Sequence, residues 1–167
     1  PLATKYTSLI LDLRGRGESQ AIPPYHLEQQ ADDVAAVMRA LAVGPAIIVG
    51  HSLGGIVALV LNERHPDLVM GIAAADSPMR PTGLGAAALV ERLQASGTAA
   101  LEPMVERFFS EGTTSGIRAA VREMMLTCPP EVAAGMLSDD DRVSASMTEL
   151  VKLADRKPFM AMWAGRP

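Results

Sequence analysis

Gly50-His51-Ser52-Leu53-Gly54-Gly55 constrains this chain more than any other stretch. It follows the β-branched run Ile47, Ile48 and Val49 and precedes an apolar segment with helical character. In that context a G-x-S-x-G turn acts as a nucleophile elbow. A sharp turn from a buried strand into a helix forces Ser52 into a strained backbone conformation. Gly50 and Gly54 lack Cβ atoms, so strand and helix are expected to approach closely on either side of Ser52. The Ser52 hydroxyl then stands above the sheet, near the positive end of the following helix. The Leu53 N–H faces the position where an oxyanion forms.

The flanking elements place this turn in a fold class. Tyr6 to Leu11 reads as a buried strand ending at Asp12, and 13–26 as a loop rich in Gly, Arg and Pro. Leu27, Ala31, Val34, Met38 and Leu41 recur at helical spacing, with Gly44-Pro45 as the stop. Ala46 to Val49 reads as a strand, Leu53 to Arg64 as a helix, and Leu68 to Ala75 as a strand. Such alternation predicts an α/β fold with a parallel sheet. It stops at residue 79. Helices are predicted at Ala86 to Ala95, Ala99 to Phe109, Ile117 to Leu126, Glu131 to Leu137 and Arg142 to Ala154. Phe159 to Ala164 reads as a returning strand. Three segments are therefore expected: a partial α/β core over 1–78, a helical cap over 79–157, and a return strand over 158–167.

Composition narrows the classes of function. At 167 residues and 49% hydrophobic content, the chain can bury one sizeable core. The net charge is −4, Lys and Arg are scattered, and aromatics make up 4%, so nucleic-acid binding has little support. No apolar run approaches the roughly 20 residues that span a bilayer, and no leader-like segment opens the chain; a cytoplasmic location is expected. Cys128 is the only cysteine, which precludes an internal disulfide and suits a small buried apolar side chain. No metal, nucleotide or organic cofactor is expected. The elbow lacks the lysine of a phosphate-binding loop, and a G-x-G-x-x-G turn is absent.

A second motif, Asp12-Leu13-Arg14-Gly15-Arg16-Gly17-Glu18-Ser19, precedes the elbow, with Asp12 40 residues before Ser52. With these two motifs the chain resembles the α/β-hydrolase superfamily in its capped, single-chain form, whose D-x-R-G-x-G-x-S turn follows the fourth strand and whose elbow follows the fifth. The resemblance implies a cap after the sixth strand, matching 79–157, and a seventh strand at Phe159 to Ala164. It also implies features this chain does not reach. The first oxyanion donor of the family follows the third strand, its acid usually follows the seventh, and its histidine follows the eighth. The chain is therefore expected to be a fragment of a longer enzyme, inactive by itself. The family's third strand lies between the fourth and fifth. Without it a vacant slot is expected, at about 1–3 kcal/mol for each unsatisfied buried backbone group.

Ser52 is the nucleophile candidate, and a serine hydroxyl needs an adjacent base. His51 occupies the variable position of the elbow and is expected to pack under the turn or line the substrate pocket. His26 lies in a loop that could face the site, and His65 at the far end of the elbow helix is expected to be solvated. None occupies the position the resembled family uses for its base. Asp76 ends a strand at the edge where α/β sites lie. It reads either as the triad acid or, with more weight, as Asp-Ser-Pro turn chemistry. Asp12 is expected to hold its turn together. Arg14 and Arg16 either bind an anionic substrate or, with more weight, pair with Asp12 or Glu18. Asp139-Asp140-Asp141 reads as a negatively charged helix start rather than a metal site. Met79, Met124 and Met125 are candidates for an adaptable apolar substrate wall.

The resemblance then implies a hydrolase acting on an ester, thioester, lactone or activated C–C bond of a small, largely apolar substrate. The alternatives are a cofactor-free acyltransferase on the same scaffold and a non-catalytic ligand-binding protein of hydrolase descent.

Overall fold

The computed structural model describes residues 4–79, 86–138 and 140–163. Three parallel strands form one sheet in the order β1 (Ala46–His51), β2 (Val69–Ala75), β3 (Phe159–Met162). Helix α1 (Leu27–Ala40) precedes β1, and α2 (Leu53–Arg64) joins β1 to β2. Among the described residues, five α-helices lie between β2 and β3: α3 (Ala86–Ser96), α4 (Glu102–Glu106), α5 (Ser115–Leu126), α6 (Pro130–Leu137) and α7 (Asp140–Ala154). The α/β class and the parallel sheet follow the alternation in sequence.

Helix α2 anchors the assembly. Its residues from Gly55 to Asn62 are all buried, so it is enclosed rather than amphipathic. It packs on β1 and β2 and against α1 and α7. Leu59, Leu61 and Val60 join Leu27, Ala31 and Met38 of α1, Ile72 and Ala74 of β2, and Leu150 of α7 in one core. The α1 stripe runs as its spacing predicts up to Met38, but Leu41 is exposed. The helix stops before Gly44-Pro45, because Ala42 takes φ 51 and Val43 N–H donates to Met38 O at 2.8 Å. That six-residue closure is a Schellman stop made without glycine.

A second core lies among the helices between β2 and β3. Leu93, Leu101, Val105, Cys128, Val132, Ala133 and Met136 form it, with Tyr25 and Leu53 packed at its margin. Leu53 also packs against the first core. The predicted helix from Ala99 to Phe109 is divided into a 3-10 turn over Gly97–Leu101 and α4. Pro103 lacks an N–H and is accommodated only in a first helical turn. Helix α7 begins at Asp140, within the acidic run; Asp139 lies outside the described residues.

One predicted strand is not formed. Residues 7–13 make no strand pairing, and Ile10 is 90% exposed. A strand exists only through hydrogen bonds to a neighbour, and among the described residues none lies beside this segment. Among the described residues the outer strands are covered mainly on one face. Ile48, Ile72 and Phe159 meet α2 and the first core. The alternate residues Ile47, Val49 (67% exposed), Met160 and Met162 stand in solvent.

An ionic clamp joins α1 to the end of α2. Arg64 Nε and Nη2 donate to the two oxygens of Asp32 at 2.9 and 2.7 Å, and His65 Nε2 lies 2.7 Å from Asp32 Oδ1. His65 is thus half-buried and bound, not solvated as expected. The hydrogen bond from Arg64 leads in pulling the Asp32 carboxyl down to about 2, with His65 adding and burial opposing. A depressed carboxylate stabilises the fold above its unfolded pKa, and that contribution is lost as pH falls through the folded value. Acid titration of the urea midpoint should therefore lose about 1 kcal/mol or less between roughly pH 4 and 2. Asp32→Asn should be weaker at neutral pH and lack that part of the slope.

Candidate active site

Ser52 sits between β1 and α2 with φ 50 and ψ −117, outside the regions a serine normally populates. Two backbone hydrogen bonds of Ser52 hold that conformation. Its N–H donates to Ala75 O at 2.9 Å, continuing the β1–β2 ladder one residue past the strand. Its carbonyl accepts from Gly55 N–H at 3.1 Å, opening the helix. Ser52 is exposed and makes no side-chain cap bond to α2. The hydroxyl therefore stands at the N-terminus of a 12-residue helix, whose first N–H groups lack intrahelical partners.

Two glycines make the turn possible, and one differs from expectation. A Cβ on Gly50 would strike the backbone of Gly54 and Gly55. A Cβ on Gly54 would meet nothing within 4 Å. The second close approach is at Gly55, where a Cβ would strike Ser77 Oγ and lie 2.7 Å from Ser77 Cβ. The motif spacing points to Gly54, but the surface that presses on the helix comes from Ser77, beyond β2.

Asp76 is the second strained residue of this edge, with φ 46. Because Ala75 O accepts from Ser52 N–H, Asp76 follows the residue that braces the elbow. Its own N–H donates to Met162 O at 2.7 Å, closing the β2–β3 edge. His51 is exposed and pairs in register with Ala75; it does not pack under the turn. Met79 packs against the first core and Met125 against the second. Met124 is 64% exposed and adds to no buried wall.

The remaining candidates are committed elsewhere. His26 caps α1, its Nδ1 accepting from Gln29 N–H at 3.1 Å and lying 3.5 Å from Glu28. His65 is held by Asp32. Asp12 closes its turn as expected: Oδ2 accepts from Glu18 N–H at 3.1 Å and its carbonyl from Ser19 Oγ at 2.8 Å. Arg14 departs from expectation, pairing with Asp33 rather than Asp12 or Glu18. Cys128 is buried, which pushes its thiol pKa up and suits packing. Two open grooves, of about 460 and 310 Å³, lie between α3 and α6 and beside the Asp12 turn; Ser52 lines neither. Among the described residues no three His, Cys, Asp or Glu side chains gather as a metal site, and no helix is long and apolar enough to cross a membrane.

The profile of the alpha/beta hydrolase fold matches residues 1–115. A 2-(acetamidomethylene)succinate hydrolase of Mesorhizobium japonicum is 40% identical over 76 residues, covering 45% of this chain and 27% of that protein. A pimeloyl-[acyl-carrier protein] methyl ester esterase of Chromobacterium violaceum is 36% identical over 115 residues, covering 65% of this chain and 44% of that protein. The chain thus spans less than half the length of these relatives. Among solved structures, a hydrolase from Oleispira antarctica matches with a TM-score of 0.82 at 16% identity, over 99% of this chain and 65% of that one. At that identity the likeness is one of fold.

Proposed function

Since the chain belongs to the alpha/beta hydrolase fold family, we propose that Ser52 is the nucleophile of a hydrolase acting on an ester, thioester, lactone or activated C–C bond of a small substrate. The observation that carries this reading is the strained Ser52 backbone, which costs of order 1–3 kcal/mol. Such strain persists only where the surroundings enforce it, as the Ala75, Gly50 and Gly55 contacts do here.

Ser52 Oγ attacks the carbonyl carbon while its proton passes to a base. The oxyanion that forms is held by the N–H of Leu53, in the first turn of α2. Asp76 is the candidate acid, by its place at the end of β2 where α/β sites lie, with Asp-Ser-Pro turn chemistry the reading given more weight. Helices α3–α7 act as a cap, a reading supported by Leu53, which packs on both cores. Met79 and Met125 are suited to its apolar wall, and His51 to the rim of the site.

The test is turnover of p-nitrophenyl butyrate by a whole protein that carries this chain, together with labelling by a fluorophosphonate probe. Ser52→Ala is expected to lower turnover by about 10³-fold or more and to abolish the labelled peptide in mass spectra. Turnover or labelling that survives the substitution overturns the assignment. An added thiol that captures the acyl group in preference to water favours acyltransfer instead.

A further inference from the structure

Three polar side chains are buried among the described residues: Gln30, Asn62 and Ser77. Gln30 lies in α1, where its Nε2 donates to Tyr25 O at 2.8 Å. Asn62 lies in the last turn of α2, at the opposite end from Ser52. Ser77 meets the elbow in two ways. Its Oγ donates to Ala75 O at 3.3 Å, the same carbonyl that accepts from Ser52 N–H at 2.9 Å. Its Cβ and Oγ also fill the hollow where Gly55 has no side chain.

The chain has to bend to bring Ser77 there. Strand β2 ends at Ala75, and Asp76 takes φ 46, a conformation that residues with a Cβ rarely adopt. Asp76 N–H donates to Met162 O at 2.7 Å on the β3 side, while the Ala75 carbonyl faces Ser52 on the β1 side. Ser77, 1% exposed, then folds back onto the first turn of α2. There Gly55 N–H donates to Ser52 O at 3.1 Å. Ser77 therefore contacts the acceptor of one bond that holds Ser52 and the donor residue of the other. A buried hydroxyl needs a hydrogen-bond partner, and Ala75 O supplies it.

We infer that Ser77 is a positioning residue for the Ser52 nucleophile, an inference that rests on the hydrolase reading above. Ser77 touches no reacting atom. It acts through Ala75 and Gly55, on the two bonds that fix φ 50 and ψ −117 at Ser52. The directions of Ser52 Oγ and of the Leu53 N–H follow from that backbone. A misplacement of about 1 Å at a reacting centre costs about a hundredfold in rate, so a smaller shift at Ser52 is readable in kcat. An interaction that aligns the nucleophile without contacting the substrate lowers kcat and kcat/KM equally and leaves KM where it was.

Steady-state turnover of p-nitrophenyl butyrate by a whole protein that carries this chain tests the role. Ser77→Ala is expected to lower kcat by about fivefold or more at unchanged KM, and to slow fluorophosphonate labelling of Ser52 by a similar factor. A size exchange separates positioning from packing. Gly55→Ala alone collides with Ser77; adding Ser77→Gly removes the colliding atoms and should recover most of the lost thermal midpoint. The rates of that double variant should stay as low as in Ser77→Ala. Rates that recover together with the midpoint, a Ser77→Ala protein with the parent's kcat, or a loss confined to KM overturns the assignment. Ser52→Ala in the same assay distinguishes the two readings. Turnover that needs Ser52 but is indifferent to Ser77→Ala keeps the hydrolase and removes the positioning role, whereas turnover independent of Ser52 removes both.

Discussion

Gly50→Ala is expected to lower the free energy of unfolding by about 3 kcal/mol or more, the upper end of overpacking costs, while Gly54→Ala leaves it unchanged or slightly raised. The two residues flank the same serine and differ in what faces them. The new methyl of Gly50→Ala would collide with the backbone of Gly54 and Gly55, which cannot rotate aside as a flexible side chain can. Either β1 or the first turn of α2 must shift, and α2 carries the first core. At Gly54 the methyl points into open space, and alanine is the better helix former by up to about 1 kcal/mol. Gly55→Ala should behave like Gly50→Ala, because Ser77 blocks it. Urea midpoints of the three variants decide the matter. A destabilised Gly54→Ala beside a tolerated Gly50→Ala would mean that the elbow is built differently.

Ser52→Gly is expected to raise stability by about 1–2 kcal/mol, and Ser52→Ala to leave it unchanged. The strain at φ 50 and ψ −117 arises from the Cβ, so only its removal releases it. Part of the gain is offset by the greater freedom of glycine in the unfolded chain. Both variants lose the hydroxyl, so both should lose labelling. Stability and activity then move in opposite directions in Ser52→Gly, the trade-off expected where strain serves a site. Equal thermal midpoints for glycine, alanine and serine at this position would remove strain as the carrier of the functional reading.

Much of the scaffold was legible because its signals are local. The α1 stripe of Leu27, Ala31 and Met38 follows helical spacing, and burial follows it. The apolar stretches at Ala46–His51 and Val69–Ala75 become paired strands. The elbow was legible for the same reason, since a strand, a serine between glycines and a helix are consecutive in the chain. Thr114 likewise caps α5, and Pro130 begins α6, close to where the periodicity places them.

What escaped the sequence involves partners distant along the chain. Tyr6 to Leu11 has strand composition, yet a strand needs a neighbour, and composition does not report one. Gly54 completes the motif, but the glycine that matters for packing is Gly55, because Ser77 folds back onto it. Arg14 finds Asp33 rather than the acids of its own turn, and His65 finds Asp32. The sequence by itself determined the class of fold, the parallel order of local elements and the identity of the strained serine, because chain-local sterics and periodicity govern those. Only the tertiary structure decided which glycines have a neighbour where a Cβ would stand, which acid takes the donors of Arg14, and which face of the sheet meets the helices. Those depend on groups far apart in the chain meeting in space, and no spacing within a motif encodes that meeting.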